Sequence, residues 1–200
     1  FDKPVIAIGH SRGAVASLIL AARRPDLISA LVLIDPTILP FSWMWWWYLA
    51  KKTGAARWVP IAARAAGRRY RWPDRETILE HFRQKPVFRS WQDGFLEAYV
   101  DCGTEAAEDG GIRLCCHPAW EARAFAACNH DVWRYIDRIQ QPTLLLFGDQ
   151  SDICLPAAVK RFVKCVPHAE VCAFERTGHF VPMERPREVV TAIHRFLDRF

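Results

Sequence analysis

The sequence contains no run of about 18 apolar residues, so no segment is a candidate for a membrane-spanning helix. A secretory leader needs a charged start, an apolar stretch and a small-residue cleavage site, whereas Phe1-Asp2-Lys3-Pro4 leads directly into what reads as a buried strand. Cysteine is present but not in zinc-finger spacing: seven scattered residues, an odd number, lack the density of a small disulfide scaffold and point to a reducing, cytoplasmic setting. No His/Cys/acid constellation suggests a metal or other cofactor. Internal repeats and low-complexity segments are absent too. Neither sign of charge dominates, with 27 Lys and Arg against 22 Asp and Glu, and the basic residues are interleaved, so composition does not imply a nucleic-acid partner. What remains is a globular chain of 200 residues, 51% hydrophobic and 24% charged, long enough for one sizeable core.

Tryptophan is unevenly placed. All nine lie between residues 36 and 138, which suggests an insertion dividing a core made of 1–35 and 139–200. The first flank reads as strand, tight turn and helix: Val5 to Ile8, Gly9 to Gly13, then Ala14 to Ala22, stopped at Arg23-Arg24-Pro25. Ile28 to Ile34 is a second strand, apolar on both faces as in a parallel sheet covered by helices. The second flank repeats the pattern, with strands at Thr143 to Phe147 and Glu170 to Phe174 and a helix opened by Pro156. Val189, Val190, Ile193, Phe196, Leu197 and Phe200 then recur at helical spacing. This alternation predicts an α/β fold with a parallel sheet. The middle reads as a helical, loop-rich lid, with a helix from Arg75 to Phe82 capped by Asp74 and a turn at Asp109-Gly110-Gly111.

Gly9-His10-Ser11-Arg12-Gly13 fits G-x-S-x-G, and it sits where a strand passes into a helix. A serine on that elbow is exposed at the strand's C-terminal end, with small residues expected on both sides. The helix N-terminus favours negative charge there, and the Arg12 amide is the natural oxyanion donor. Serine is a poor nucleophile without a base, and the base needs a carboxylate to fix its tautomer. Downstream, Asp152 and His179 each follow a strand, so Ser11, Asp152 and His179 are expected at one sheet edge.

On these residues, together with Leu145 to Asp152 and Gly178 to Pro186, the chain resembles the C-terminal two-thirds or more of an α/β-hydrolase with a helical cap. The resemblance covers essentially all of the sequence. It implies that the strands are the family's fifth to eighth, that 36–138 is the cap, and that Asp152 is the acid. Asp149 and Asp35 are its competitors, since some relatives place the carboxylate where Asp35 stands. It further implies an N-terminally truncated chain without the second oxyanion donor, poorly soluble and weakly active alone.

The expected function is hydrolysis of a carboxylic ester or related acyl bond in a small apolar substrate. Carbon–carbon hydrolysis of a diketone and a non-catalytic binding role are the alternatives. Trp43, Trp46 and Phe180 are candidates for the substrate pocket. For the ring-rich run Phe41, Trp43, Trp45, Trp46, Trp47 and Tyr48, core packing is preferred over a pocket or binding surface. Lys51, Lys52, Arg57 and the arginines after them are read as a solvated surface, so contact with a membrane is not expected.

Overall fold

The structure is a computed structural model that describes residues 3–108, 110–127 and 131–199, the side chains of Phe41 and Ser42 apart. In chain order, β1 (Val5–His10), α1 (Arg12–Arg23) and β2 (Ile28–Ile34) lead into α2 (Phe41–Lys52) and α3 (Pro60–Ala66). Then come β3 (Arg71–Trp72), α4 (Arg75–Arg83), α5 (Phe95–Gly103), β4 (Thr104–Ala106), β5 (Ile112–Leu114) and α6 (Pro118–Ala126). The chain ends with α7 (Trp133–Ile136), β6 (Thr143–Gly148), α8 (Pro156–Cys165), β7 (Glu170–Phe174), α9 (Val181–Glu184) and α10 (Pro186–Leu197).

Two compact units result, Phe1–Met44 with His130–Phe200, and Trp45–Asn129. The second is narrower than the 36–138 insertion expected from tryptophan usage. Ile38, Val132, Trp133, Tyr135 and Ile136 are buried in the core of the first unit, which keeps both ends of the expected insertion with the sheet.

The first unit is the predicted parallel sheet, in the order β1-β2-β6-β7. Its two central strands, β2 and β6, have two buried faces, because successive side chains point to opposite sides of a pleated strand and both sides are covered. Leu31, Leu33 and Leu145 pack with Leu18 of α1, Ile136 of α7 and Phe162 of α8. Ala30, Val32, Ile34, Leu144 and Leu146 pack on the other side with Val181 of α9 and Val189 and Phe196 of α10. Pro156 and Pro186 each open a helix, where a missing backbone N–H costs nothing. Along β1, Ile6 and Ile8 remain exposed.

In the second unit, Asp74 caps α4 as its sequence position predicts, accepting from Thr77 N at 2.8 Å. This unit also holds a small antiparallel sheet, β3-β5-β4, that the reading of helices and loops did not contain. Strands of two or three residues are too short to show a period of two. Of the expected Asp109-Gly110-Gly111 turn, Asp109 lies outside the described residues, as do Cys128, His130 and Phe200. Gly110 has φ of +88°, and Ala107 N donates to Gly111 O at 2.8 Å. A Cβ on Gly111 would lie 2.5 Å from the Trp72 carbonyl oxygen, so the sheet needs glycine there.

Candidate active site

β1 and β2 end level with one another beside β6, which runs two residues further, and the site is built on these ends. His10 pairs with Ile34, and Ile34 with Leu146. Each ladder runs one residue further, Ser11 N donating to Ile34 O at 2.8 Å and Asp35 N to Leu146 O at 2.7 Å. Both residues then leave their strands with positive φ, +56° for Ser11 and +41° for Asp35, a strained conformation for residues with a Cβ. At Ser11 that strain belongs to the elbow, because α1 starts at the next residue. The two elbow glycines are not equivalent. A Cβ on Gly9 would lie 2.5 Å from Ala14 N and Gly13 C, whereas one on Gly13 would meet nothing within 4 Å.

The imidazole of His179 lies between the two strand ends. Its Nε2 is 2.9 Å from Ser11 Oγ and its Nδ1 is 2.7 Å from Asp35 Oδ1. A carboxylate only accepts hydrogen bonds, so Nδ1 carries the proton and Nε2 is left to accept from the Ser11 hydroxyl. The expectation that Asp152 orients His179 is therefore corrected: the carboxylate is Asp35, and Asp152 is exposed to solvent. The loop after β6 turns Ser151 inward, and the side chain after it faces out. Asp149 is exposed too and accepts from Thr177 N at 3.2 Å, bracing the loop that carries His179.

Asp35 is fully buried, and its oxygens have three donors: His179 Nδ1 and Ser151 Oγ, 2.7 and 2.6 Å from Oδ1, and Gly148 N, 3.0 Å from Oδ2. A buried carboxylate requires such partners, since an unpaired one would cost several kcal/mol (~3–5). Ser151 Oγ in turn accepts from the amides of Ile153 and Cys154, both at 3.1 Å. Gly148 admits the histidine loop: a Cβ there would lie 2.2 Å from the Thr177 carbonyl oxygen. Burial, and the nearby Asp35, push the Cys154 thiol well above its ordinary range, so it remains protonated.

Two further neighbours were not assigned site roles by sequence reasoning. Thr37 Oγ1 lies 3.3 Å from Ser11 Oγ, and because the Ser11 proton is directed at His179, the threonine hydroxyl is the donor. His10 donates from Nε2 to the His179 carbonyl oxygen at 2.9 Å, and the two ring centroids are 4.8 Å apart. Burial lowers the His10 pKa. Its place inside the G-x-S-x-G pattern was the available signal; Thr37, two residues beyond an acid candidate, had none.

Of the pocket candidates, half-buried Phe180 stands edge-on to His179 at 5.2 Å. Trp43 and Trp46 are 55% and 71% exposed, which places them neither in a core nor in an enclosed pocket. The side chain of Phe41 lies outside the described residues. Among the described residues, no group of three or more His, Cys, Asp or Glu is placed to hold a metal ion.

A family model described as "Alpha/beta hydrolase family" matches residues 1–192. The chain belongs to the α/β-hydrolase family. It is 25% identical over 197 residues to the N-formylmaleamate deformylase of Pseudomonas putida, covering 96% of this chain and 62% of that protein. It is 22% identical over 204 residues to the sn-1-specific diacylglycerol lipase ABHD11 of Mus musculus, covering 97% and 59%. Among solved α/β-hydrolases, E-2-(acetamidomethylene)succinate hydrolase superposes with a TM-score of 0.76 at 23% identity, covering 98% of this chain and 67% of that one. The chain thus spans about three-fifths of the length of these two curated relatives.

Proposed function

We propose that this protein is a serine hydrolase that cleaves a carboxylic ester or related acyl bond through an acyl-enzyme. The observation that carries the reading is the relay Ser11 Oγ, His179, Asp35, with contacts of 2.9 and 2.7 Å. Ser11 Oγ attacks the carbonyl carbon as its proton passes to His179 Nε2, and Asp35 stabilises the imidazolium that forms. The Arg12 amide, first in α1, faces the developing oxyanion, and the N-terminal end of that helix adds its positive potential. His179 then hands the proton to the leaving group. A water, deprotonated by the same nitrogen, releases the acid and restores Ser11.

A serine nucleophile separates this chemistry from that of the haloalkane dehalogenases and epoxide hydrolases of this fold, which use aspartate. The relatives named above include a deformylase and a lipase, so C–N and C–O acyl bonds both belong in the substrate panel, with thioesters and diketones. A non-catalytic binding role would have no need of a hydroxyl, an imidazole and a buried carboxylate joined in sequence.

The test is labelling with a fluorophosphonate, which reports an activated serine whatever the substrate. Wild type labels, and Ser11→Ala and His179→Ala do not. Equal labelling of wild type and Ser11→Ala would refute the assignment.

A further inference from the structure

The second unit presents a surface that hydrolysis at Ser11 does not explain. In α2, Trp45 is 68% exposed, Trp46 71%, Leu49 44% and Tyr48 37%, while Trp47 and Ala50 are half-buried. At 100° per residue, Tyr48, Lys52, Trp45, Leu49 and Trp46 fall in that order around one side of the helix. The outward face is therefore the apolar one, the reverse of a helix solvated on its outer side. The unit buries Trp72 almost completely, so its core can take up indoles. Trp58 repeats the arrangement just beyond the helix, 71% exposed with the Arg57 guanidinium 5.3 Å from its ring, as Lys52 Nζ lies 5.7 Å from the ring of Tyr48.

Charge selects what this face meets. Between residues 36 and 73 there are seven Lys and Arg and no Asp or Glu, although the whole chain has a net charge of only +5. A second copy is a poor occupant, since a two-fold interface would set this patch against itself with no carboxylate in the segment to meet the cations. Indole and phenol rings with lysine and arginine beside them suit the boundary between lipid headgroups and acyl chains, where the ring is buried and the polar edge stays wet. A helix of 12 residues is about 18 Å long, well short of a bilayer core of roughly 30 Å. Among the described residues no helix is long and apolar enough to cross a membrane.

We propose that the outward face of α2, Trp45, Trp46, Tyr48 and Leu49, together with Lys51, Lys52 and Arg57, docks the protein flat on an anionic phospholipid surface. The rings supply the buried apolar area and the cations the preference for anionic headgroups.

Flotation with vesicles tests this, using phosphatidylcholine alone and phosphatidylcholine with about 30 mol % phosphatidylglycerol. Wild type floats with the anionic vesicles, its tryptophan emission shifts to the blue, and both effects fade as salt rises from about 50 to about 500 mM. The triple variant Lys51→Glu, Lys52→Glu, Arg57→Glu binds on the order of 100-fold more weakly. Trp45→Ser with Trp46→Ser loses binding while keeping the wild-type circular dichroism; if that variant fails to fold, the charge variant decides. Ser11→Ala floats like wild type, which keeps this result separate from that of the labelling experiment. No flotation with anionic vesicles, equal flotation with neutral ones, or charge reversal without effect would each overturn the proposal. So would a protein dimer that forms without lipid and is lost in the ring variant while vesicles go unbound.

Discussion

Replacing Asp35 by Asn tests the carboxylate that meets the imidazole against Asp152, the acid expected from the sequence. The Asn side chain has one accepting and one donating end. Gly148 N donates to Oδ2 and can be met only by the amide oxygen, which leaves NH2 directed at His179 Nδ1 and Ser151 Oγ. Ser151 Oγ already accepts two amides, so the contact best satisfied is Nδ1, accepting instead of donating. The imidazole proton then moves to Nε2, where it faces Ser11 Oγ, and the base is lost. In triads of this kind the wrong tautomer costs about 10⁴ in kcat, or ~5.5 kcal/mol at 1.36 kcal/mol per decade. The fold loses less, about 1–3 kcal/mol for one buried donor left poorly matched. Asp152→Asn, on an exposed side chain, changes either quantity by no more than about 0.5 kcal/mol. The assay is the second-order rate of fluorophosphonate labelling with kcat on p-nitrophenyl esters, beside urea denaturation of each variant. Asp35→Asn within tenfold of wild type, with Asp152→Asn collapsed, would refute the assignment of the acid.

The remaining predictions concern the supports of that relay. Gly9→Ala forces backbone apart at 2.5 Å contacts and lowers stability by about 1–3 kcal/mol, whereas Gly13→Ala, in open space within the first turn of α1, is neutral or stabilising by up to ~1 kcal/mol; thermal melts of the two variants should move in opposite directions or only the first should move. Burial holds His10 below its ordinary value of 6.5, so the unfolded chain takes up a proton that the folded one refuses as pH falls. Its contribution is complete above pH 6.5 and is lost as the pH drops from there towards the lower folded value. His10→Gln, which keeps a donor for the His179 carbonyl, should lose less stability than wild type between neutral and mildly acid pH in urea titrations, and parallel losses would sink this account.

The sheet was legible in the sequence because its two central strands, β2 and β6, are buried on both faces. Ile28–Ile34 and Thr143–Gly148 are apolar runs with no polar alternation, bounded by Pro and Gly, and both form at those positions within a residue. Ser11 and His179 were legible from their place in the alternation of strands and helices, since Ser11 follows β1 directly and His179 follows β7 through a short glycine-bearing loop. The acid was not. More than one strand of the sheet is followed by a carboxylate, and three were candidates: Asp35 after β2, and Asp149 and Asp152 after β6. What decides among them is which side chain turns inward, and that depends on single backbone angles such as the φ of +41° at Asp35. The aromatic helix was misjudged from the opposite direction. Hydrophobicity places rings out of water on average, but seven cations among 38 residues without a carboxylate leave that stretch with charged heads to solvate at every turn.

Placing the acid on β2 also gives the β6 loop a different task. Ser11 and Asp35 are carried by adjacent hydrogen-bonded strands, so the nucleophile and the group that orients its base are fixed to one another through backbone pairs such as Ser11 N to Ile34 O. The loop after β6 need not hold the imidazole. It supplies Gly148 N and Ser151 Oγ to a carboxylate that is otherwise sealed from water, and both donate to the charged form. Ser151 is tied in turn to the amides of Ile153 and Cys154, which fixes its hydroxyl with its proton directed at Asp35. His179 therefore meets a carboxylate that already accepts from the Gly148 amide and from a Ser151 hydroxyl held by two amides of its own loop. In the proposed mechanism the imidazolium would form with little rearrangement around it, which is the condition under which buried electrostatics lower a barrier.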